Sequence, residues 1–257
     1  MWKARSDLSN KLLEASRLMR YIIFLCIIIS NITFASEKVP KFKVTKLADN
    51  VYQHISYKKV GSYGMVGASG LVVVDGSNAH IIDTPWTVKD TKKLVEWITS
   101  KKLTLKSAVV THFHKDASGG LSFLNSLEIK TYATPLTNKL LKSKKREKSS
   151  HEIKNNEFEL LTNKIEVFYP GAGHSQDNIV VWLPKEKILF GGCFVKSINS
   201  KGLGYTGHAS VEDWPISIQN VINKYPNLDR VVPGHGEIGD IGLLRHTAKL
   251  ALGEKGL

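Results

Sequence analysis

The chain has 257 residues, and 42% of them are hydrophobic, which is enough to bury one large core or two small ones. No linker rich in proline, glycine or serine divides it, so one domain of roughly 220 residues is the simpler interpretation. The formal net charge of +13 makes the chain basic overall and leaves nucleic acid, an anionic membrane surface and acidic small molecules open as partners.

Residues 1–35 have the pattern of a secretory signal peptide, with Met19 as an alternative start. Two arginines precede an apolar run at 21–29, and small residues follow at the cleavage positions. Nine apolar residues are fewer than the ~20 that a spanning helix needs, so we expect no stable membrane anchor. We therefore predict export to the periplasm and a mature domain over residues 36–257.

Strands and helices are predicted along the whole mature chain from apolar periodicity and turn signals. The strands are predicted at 51–57, 71–75, 80–82, 108–111, 129–132, 165–169, 178–183, 187–190 and 230–232. Helices are predicted at 88–100, 118–127, after the cap Thr134, at 211–225 with Ser210 as its cap, and at 241–252. Strands outnumber helices and pair as hairpins, so we expect an α/β sandwich of packed sheets with helices outside.

Two features of the composition bear on chemistry. Much of the positive charge lies in the run from Lys139 to Lys148, which we interpret as a solvated surface loop. Cys26 belongs to the predicted signal peptide, so the mature chain has the single cysteine Cys193 and no intramolecular disulfide. Taken alone, Cys193 is interpreted as a buried, inert thiol, although a thiol that serves chemistry is the alternative.

Six potential metal ligands share one kind of position, a loop just after a predicted strand. They are His112, His114, Asp116, His174, Cys193 and His235. Zinc accepts imidazole, carboxylate and thiolate, and a catalytic zinc takes three protein ligands, so six ligands suit two ions. The other histidines of the mature chain are expected to be ordinary hydrogen-bonded core or surface residues. These are His54, His80, His151, His208 and His246.

The chain resembles the metallo-β-lactamases, and within them the di-zinc subclass B1. The matching segments are NVYQHISY, NAHIIDTPW, THFHKDASGG, GAGHSQDNIVVWLP, GGCFVKS and VVPGHGEIGDIGLLRHT, which span almost the whole mature chain. The H-x-H-x-D pattern alone also occurs in glyoxalase II and RNA-processing nucleases, which usually carry histidine and aspartate where this chain has Ala117 and Cys193. The resemblance implies a four-layer αββα sandwich.

The resemblance also implies a ligand set and a reaction. One zinc is expected on His112, His114 and His174, and a second on Asp116, Cys193 and His235. The implied reaction is hydrolysis of the β-lactam ring amide of penicillins, cephalosporins and carbapenems, which gives antibiotic resistance. Metal-bound hydroxide attacks the carbonyl without a covalent intermediate, and Asp116 accepts a hydrogen bond from that hydroxide.

Substrate contacts are expected from four further residues. Lys196 lies where the family has a cation for the substrate carboxylate, and Val60 and Tyr63 lie in a segment that either covers the substrate or is an ordinary turn. Tyr205 replaces an asparagine common in the family, so we expect it to form a wall of the pocket. Asp83 is expected as a hydrogen-bond partner of a ligand histidine.

The partners expected are small β-lactam substrates, with no nucleic acid, and the chain is expected to be a monomer. Two alternatives remain open at this stage. The first is another hydrolase of the same fold, a thioesterase or a nuclease; a nuclease would explain the basic charge but not the signal peptide or Cys193. The second is a non-catalytic zinc-binding protein, which would close its coordination shells, whereas three-ligand sets leave an open position.

Overall fold

The computed structural model describes residues 40–253, together with four helical positions nearer the N-terminus. These four are Glu14, Arg17, Met19 and Arg20, and the rest of the predicted signal peptide lies outside the described residues. Within the described part of the chain, no helix is long and apolar enough to cross a membrane.

The first sheet has seven strands that lie in the order of the sequence. They are β1 (Lys43–Ala48), β2 (Val51–Lys59), β3 (Met65–Asp75), β4 (Asn78–Ile82), β5 (Thr104–Val109), β6 (Lys130–Ala133) and β7 (His151–Glu152). Strands β1 to β4 pair in antiparallel fashion, whereas β4 to β7 run parallel. The parallel strands need crossover connections, and these connections contain the helices of this half of the molecule.

The second sheet has five strands. They are β8 (Glu157–Leu161), β9 (Ile165–Phe168), β10 (Val180–Leu183), β11 (Ile188–Gly192) and β12 (Arg230–Pro233). Their order across the sheet is β12, β11, β10, β9, β8, and only β11 and β12 are parallel. The connection between β11 and β12 therefore crosses over, and it contains a long loop and a helix.

Six helices are described between residues 40 and 253, besides one turn of 3-10 helix at Gly61–Tyr63. They are α1 (Val88–Ser100), α2 (Lys115–Ser118), α3 (Leu121–Ser126), α4 (Pro135–Ser143), α5 (Trp214–Lys224) and α6 (Gly242–Ala251). Helix α1 begins where the Thr87 side chain accepts a hydrogen bond from the Asp90 N–H. Helix α4 begins in the same way at Thr134, followed by Pro135.

The core lies in three apolar layers because neighbouring strand residues point to opposite faces. Leu71 and Val73 of β3 face Val181 and Leu183 of β10 between the sheets. On the outer face of the first sheet, Val72 joins the cluster that buries helices α1 and α3. Helices α5 and α6 cover the outer face of the second sheet. This order of layers confirms the predicted αββα sandwich.

Two predicted helices differ from the structure. The helix predicted at 118–127 is two short helices separated by Gly119 and Gly120. The chain packs tightly at this break, since a side chain at Gly119 would lie 2.3 Å from the Trp86 carbonyl oxygen. The helix predicted from residue 211 begins at Trp214, since the Ser210 hydroxyl donates to the Asp213 carboxylate rather than accepting from the backbone.

Three strands were not predicted, and these are β1, β7 and β8. Strand β1, with the sequence KVTKLA, lies at an edge of its sheet and is mostly exposed or half-buried. Strand β7 has only two residues and forms the other edge of the first sheet, and β8 forms an edge of the second sheet. Edge strands bury little, so their sequences lack the apolar alternation on which the prediction depends.

Candidate metal centre

The three histidines expected to share one ion form a cluster. His112 follows β5, His114 precedes α2, and His174 lies in the loop between β9 and β10. The Nδ1 of His114 and the Nε2 of His174 are 3.0 Å apart, and one ring nitrogen from each of the three lies within 4.8 Å of the others. The rings meet edge to face with centroids 4.8 to 5.0 Å apart.

The other three predicted ligands form a second cluster beside the first. The Cys193 Sγ lies 3.1 Å from Asp116 Oδ2 and 3.2 Å from His235 Nε2. The distance between His235 Nε2 and Asp116 Oδ2 is 3.1 Å. The second carboxylate oxygen, Asp116 Oδ1, is 3.6 Å from His112 Nε2, so Asp116 lies between the two clusters.

The donor atoms of these clusters fit zinc. Both His112 Nε2 and Asp116 Oδ1 are buried without a hydrogen-bond partner, which is costly for polar atoms unless another ligand takes their lone pairs. A tetrahedral ion with ligand bonds of about 2.1 Å holds its donor atoms roughly 3.4 Å apart. The observed separations of 3.0 to 3.2 Å lie close to that value.

Hydrogen bonds orient two of the ligand rings. The His235 Nδ1 donates to the Gly67 carbonyl at 2.7 Å, which places its Nε2 beside Cys193 and Asp116. The His112 Nδ1 contacts the Thr111 hydroxyl at 3.2 Å. Asp83 accepts hydrogen bonds from the Thr111 N–H at 2.6 Å and from the Thr111 hydroxyl at 2.7 Å. Asp83 was expected to bond a ligand histidine directly, but its carboxylate bonds Thr111 and reaches His112 only through that residue.

Burial determines the protonation of the histidine cluster. It lowers the pKa of His112 to about 3 and that of His114 to about 4, and it holds the pKa of His174 well below its usual value. The neighbouring Asp116 acts in the opposite direction and raises all three pKa values. These imidazoles are therefore neutral near pH 7, which is the form that binds a metal.

The acidic ligands respond to burial in different ways. Burial alone would raise the pKa of Asp116, but its contacts with His235, His112 and Cys193 hold it well below the usual range. Burial and the Asp116 charge raise the pKa of the Cys193 thiol. A cation bound at this position would lower the pKa of the thiol instead, because it stabilises the thiolate directly.

Glycine brings the loops after β11 and β12 together. A side chain at Gly234 would lie 2.6 Å from the Cys193 Sγ, so only glycine permits His235 to approach the thiol this closely. Gly192, just before the cysteine, has a φ of 53°, in the left-handed region. The Gly234 N–H donates to the Gly192 carbonyl at 2.6 Å, which ties the two loops to each other.

A cavity of about 290 Å³ opens beside the two clusters. All four residues expected to contact substrate line it, and these are Val60, Tyr63, Lys196 and Tyr205. Val60 directly precedes the 3-10 turn between β2 and β3, and Tyr63 is its last residue. The ammonium of Lys196 lies 5.2 Å from the centre of the Trp214 ring, and burial lowers its pKa. Tyr205 packs edge to face on His114 with centroids 5.9 Å apart.

Three residues of the site were missed in the sequence. Trp86 lines the cavity and stacks on His235 with centroids 6.4 Å apart, and its place directly after the segment IIDTP was the available signal. Arg146 lies in the basic run that was interpreted as a solvated loop. It is half-buried, and its guanidinium donates to the carbonyls of Phe113 and Ser118. Local sequence carries no signal for this long-range contact.

The third missed residue is His208, which is hydrogen-bonded as expected, but to a residue of the site. Its Nδ1 lies 2.9 Å from the Nε2 of the predicted ligand His114. The other four histidines are as expected: His54, His80 and His246 are buried with hydrogen bonds to Asp83, Ser107 and Ser200, and His151 is exposed.

Comparisons with known proteins agree with this geometry, although no protein-family profile matches the chain. The chain is 44% identical over 240 residues to a metallo-β-lactamase type 2 of Pseudomonas aeruginosa, covering 93% of this chain and 96% of that protein. The solved structure of VMB-1 at pH 5.5 is 64% identical, with a TM-score of 0.82 over 83% of this chain and 97% of that one. The solved structure of the DIM-1 metallo-β-lactamase is 50% identical, with a TM-score of 0.83, and the match covers 84% of this chain and 99% of that one. The chain therefore belongs to the metallo-β-lactamase family.

Proposed function

We propose that this enzyme is a zinc-dependent hydrolase that opens the β-lactam ring of penicillins, cephalosporins and carbapenems, and so gives antibiotic resistance. The observation that carries the proposal is the convergence of six ligand atoms beside a cavity that also contains the lysine Lys196. Relatives of 44% and 41% identity that are named metallo-β-lactamases support the same activity.

The two clusters would hold two zinc ions, in the manner of subclass B1. The first ion would bind His112, His114 and His174, and the second would bind Asp116, Cys193 and His235. Zinc in such sites polarises a carbonyl and lowers the pKa of a bound water to about 7, which supplies a nucleophile at neutral pH. Three ligands per ion leave a position open for water and substrate.

The chain's own residues orient the attack. Asp116 lies between the clusters, and its Oδ1 has no protein hydrogen-bond partner among the described residues, so it is placed to accept a hydrogen bond from the attacking water. The low pKa of Asp116 keeps it a carboxylate, which is the form that accepts. With zinc bound, the metal centre would supply the nucleophile, so no serine or cysteine side chain would need to form a covalent intermediate.

Three parts of the cavity wall would bind substrate. The Lys196 ammonium would pair with the carboxylate that nearly all bicyclic β-lactams carry, and its partial burial strengthens that pairing. Val60 and Tyr63 would cover the apolar face of the drug from the turn between β2 and β3. Tyr205 would form a wall of the pocket.

We further propose that the protein is exported to the periplasm by the segment 1–35 and acts as a monomer. The mature domain would comprise residues 36–257, and nucleic acid would not be a substrate. Support for export comes from the sequence pattern of that segment.

The test is hydrolysis of a chromogenic cephalosporin by the purified mature chain, with and without a strong chelator. We expect rapid ring opening that the chelator abolishes and added Zn²⁺ restores, and a His151→Ala variant should match the wild type because His151 is exposed. Zinc binding without turnover of any lactam would instead indicate a non-catalytic zinc protein. Cleavage of RNA or of a thioester without lactam turnover would indicate another hydrolase of the fold.

A further inference from the structure

His208 makes a contact that the zinc chemistry described above does not use. It lies in the loop between β11 and α5, 94 residues from His114 in the sequence, and its Nδ1 is 2.9 Å from His114 Nε2. On the opposite edge of the same ring, His114 Nδ1 faces His174 Nε2 at 3.0 Å. His114 is thus held between a predicted ligand on one side and a histidine of no assigned role on the other.

Packing fixes the position of the His208 ring. The Phe113 ring meets it edge to face with centroids 5.0 Å apart, and the Tyr205 ring does the same at 5.3 Å. A side chain at Gly207 would lie 2.4 Å from the Tyr205 hydroxyl oxygen, so glycine at this position lets the Tyr205 side chain lie against the turn. The Ala209 N–H donates to the Thr206 carbonyl and closes the turn.

The ring nitrogens assign a direction to this hydrogen bond. A neutral imidazole carries one proton, so when His114 Nδ1 directs its lone pair into the cluster, its proton is on Nε2. That N–H points at His208 Nδ1, which must then accept, and the His208 proton is on its own Nε2. Metal-binding histidines usually donate their second N–H to a carboxylate, a carbonyl or water, and this partner sets the tautomer and ring orientation.

We propose that His208 is a positioning residue of the three-histidine metal site. It accepts the His114 Nε2 proton, selects the tautomer that presents Nδ1 to the metal, and fixes the plane of the ring. This inference rests on the proposed zinc site. The other two rings have different environments, because His112 contacts Thr111 and His174 Nδ1 has no partner among the described residues.

The test compares His208→Leu with His208→Asn. Leucine retains apolar packing between Phe113 and Tyr205 but removes the hydrogen-bond acceptor. Asparagine keeps an acceptor, because its amide oxygen takes the place of the imidazole Nδ1. The matched control is His151→Leu, because His151 is an exposed histidine of β7. For each purified full-length variant, Zn²⁺ affinity is measured by competition with a chromophoric chelator.

Loss of a partner of this kind typically weakens metal affinity about 10- to 100-fold. We expect a loss of that size in His208→Leu at one of the two sites, near wild-type affinity in His208→Asn, and no change in His151→Leu. Co²⁺ substitution identifies the affected site: the thiolate charge-transfer band from Cys193 should persist, while the ligand-field bands of the histidine site weaken.

Equal zinc affinity in His208→Leu and the wild type would overturn the proposal. So would an equal loss in the leucine and asparagine variants, since packing alone would then explain it. If His208→Leu does not fold, His208→Asn with wild-type affinity beside His208→Gly with weakened affinity supports the proposal, and equal affinities of those two contradict it. Failure of the proposed function would appear differently, as a wild-type chain that binds no zinc and hydrolyses no lactam.

Discussion

Cys193 is the residue at which metal binding can be separated from packing. Its thiol lies 3.1 to 3.2 Å from two other predicted ligands. A serine hydroxyl is nearly the same size but a poor zinc ligand near neutral pH. We expect Cys193→Ser to fold, to keep one zinc on the three histidines, and to lose most activity because the second ion binds weakly. Two zinc ions per chain with undiminished turnover, measured by elemental analysis and lactam assay, would show that the thiol is only part of the core.

Lys196 tests whether the cavity recognises a carboxylate. Lys196→Glu places a negative charge against the substrate carboxylate, so KM should rise more than kcat falls, as expected for a contact made equally in the ground and transition states. Lys196→Arg should have a milder effect because it keeps the positive charge. The measurement is steady-state kinetics on a substrate that carries the carboxylate. An unchanged KM for Lys196→Glu would remove this residue from the binding site.

Tyr205 tests whether the pocket supplies a side-chain donor to the lactam carbonyl. Its side chain is 48% exposed, and its hydroxyl lies against Gly207. We therefore expect Tyr205→Phe to lower kcat by less than about tenfold, or roughly 1.4 kcal/mol of barrier. An oxyanion donor is typically worth about 100-fold or more. A hundredfold fall in kcat with both zinc ions retained would assign that role to the hydroxyl.

At the scale of elements, the metal site depends on the loop from Phe113 to Ser118, which includes helix α2. The Arg146 guanidinium donates to the Phe113 carbonyl at 2.5 Å and to the Ser118 carbonyl at 3.1 Å, so it joins the two ends of this loop. A third hydrogen bond reaches the Ser118 hydroxyl at 2.9 Å. Its planar fork makes these contacts simultaneously.

We expect Arg146→Met to lower the free energy of unfolding by about 2 kcal/mol, since hydrogen bonds to charged groups contribute about 1.5 to 3 kcal/mol. Arg146→Lys should recover only part of this loss, because an ammonium lacks the fork. Denaturant unfolding of the metal-free chain is the measurement, and Lys144→Met is the control from the exposed part of the same run. Equal stability of the Arg146→Met and Lys144→Met variants would show that the Arg146 hydrogen bonds do not stabilise the loop.

The sequence alone predicted the elements that bury a continuous apolar face. It did not predict the residues that reach the site through tertiary contacts. Helix α1 was predicted with its observed ends because its apolar face, which includes the buried Leu94 and Ile98, is a local signal. The six predicted ligands were selected by their positions after strands and by the family resemblance, and the structure brings them together. His208 and Arg146 were not, because each reaches the site from a loop distant in sequence, and no local pattern encodes that approach.

At the scale of the whole molecule, the αββα sandwich brings together loops from both sheets. His112, His114 and Asp116 follow a strand of the first sheet, whereas His174, Cys193 and His235 follow strands of the second. Neither sheet alone carries a complete ligand set for either cluster. The packing of one sheet on the other is therefore what assembles the site, and it leaves four of the six predicted ligands buried and two, His114 and His235, half-buried.

The most direct test of this account is a titration of the metal-free protein with Zn²⁺ while lactam hydrolysis is followed. We expect no turnover without zinc, a rise in rate as zinc is added, and saturation at two equivalents per chain. Full turnover by rigorously metal-free protein would contradict the zinc mechanism. Saturation at one equivalent, with no second binding event, would contradict the assignment of Asp116, Cys193 and His235 to a second ion.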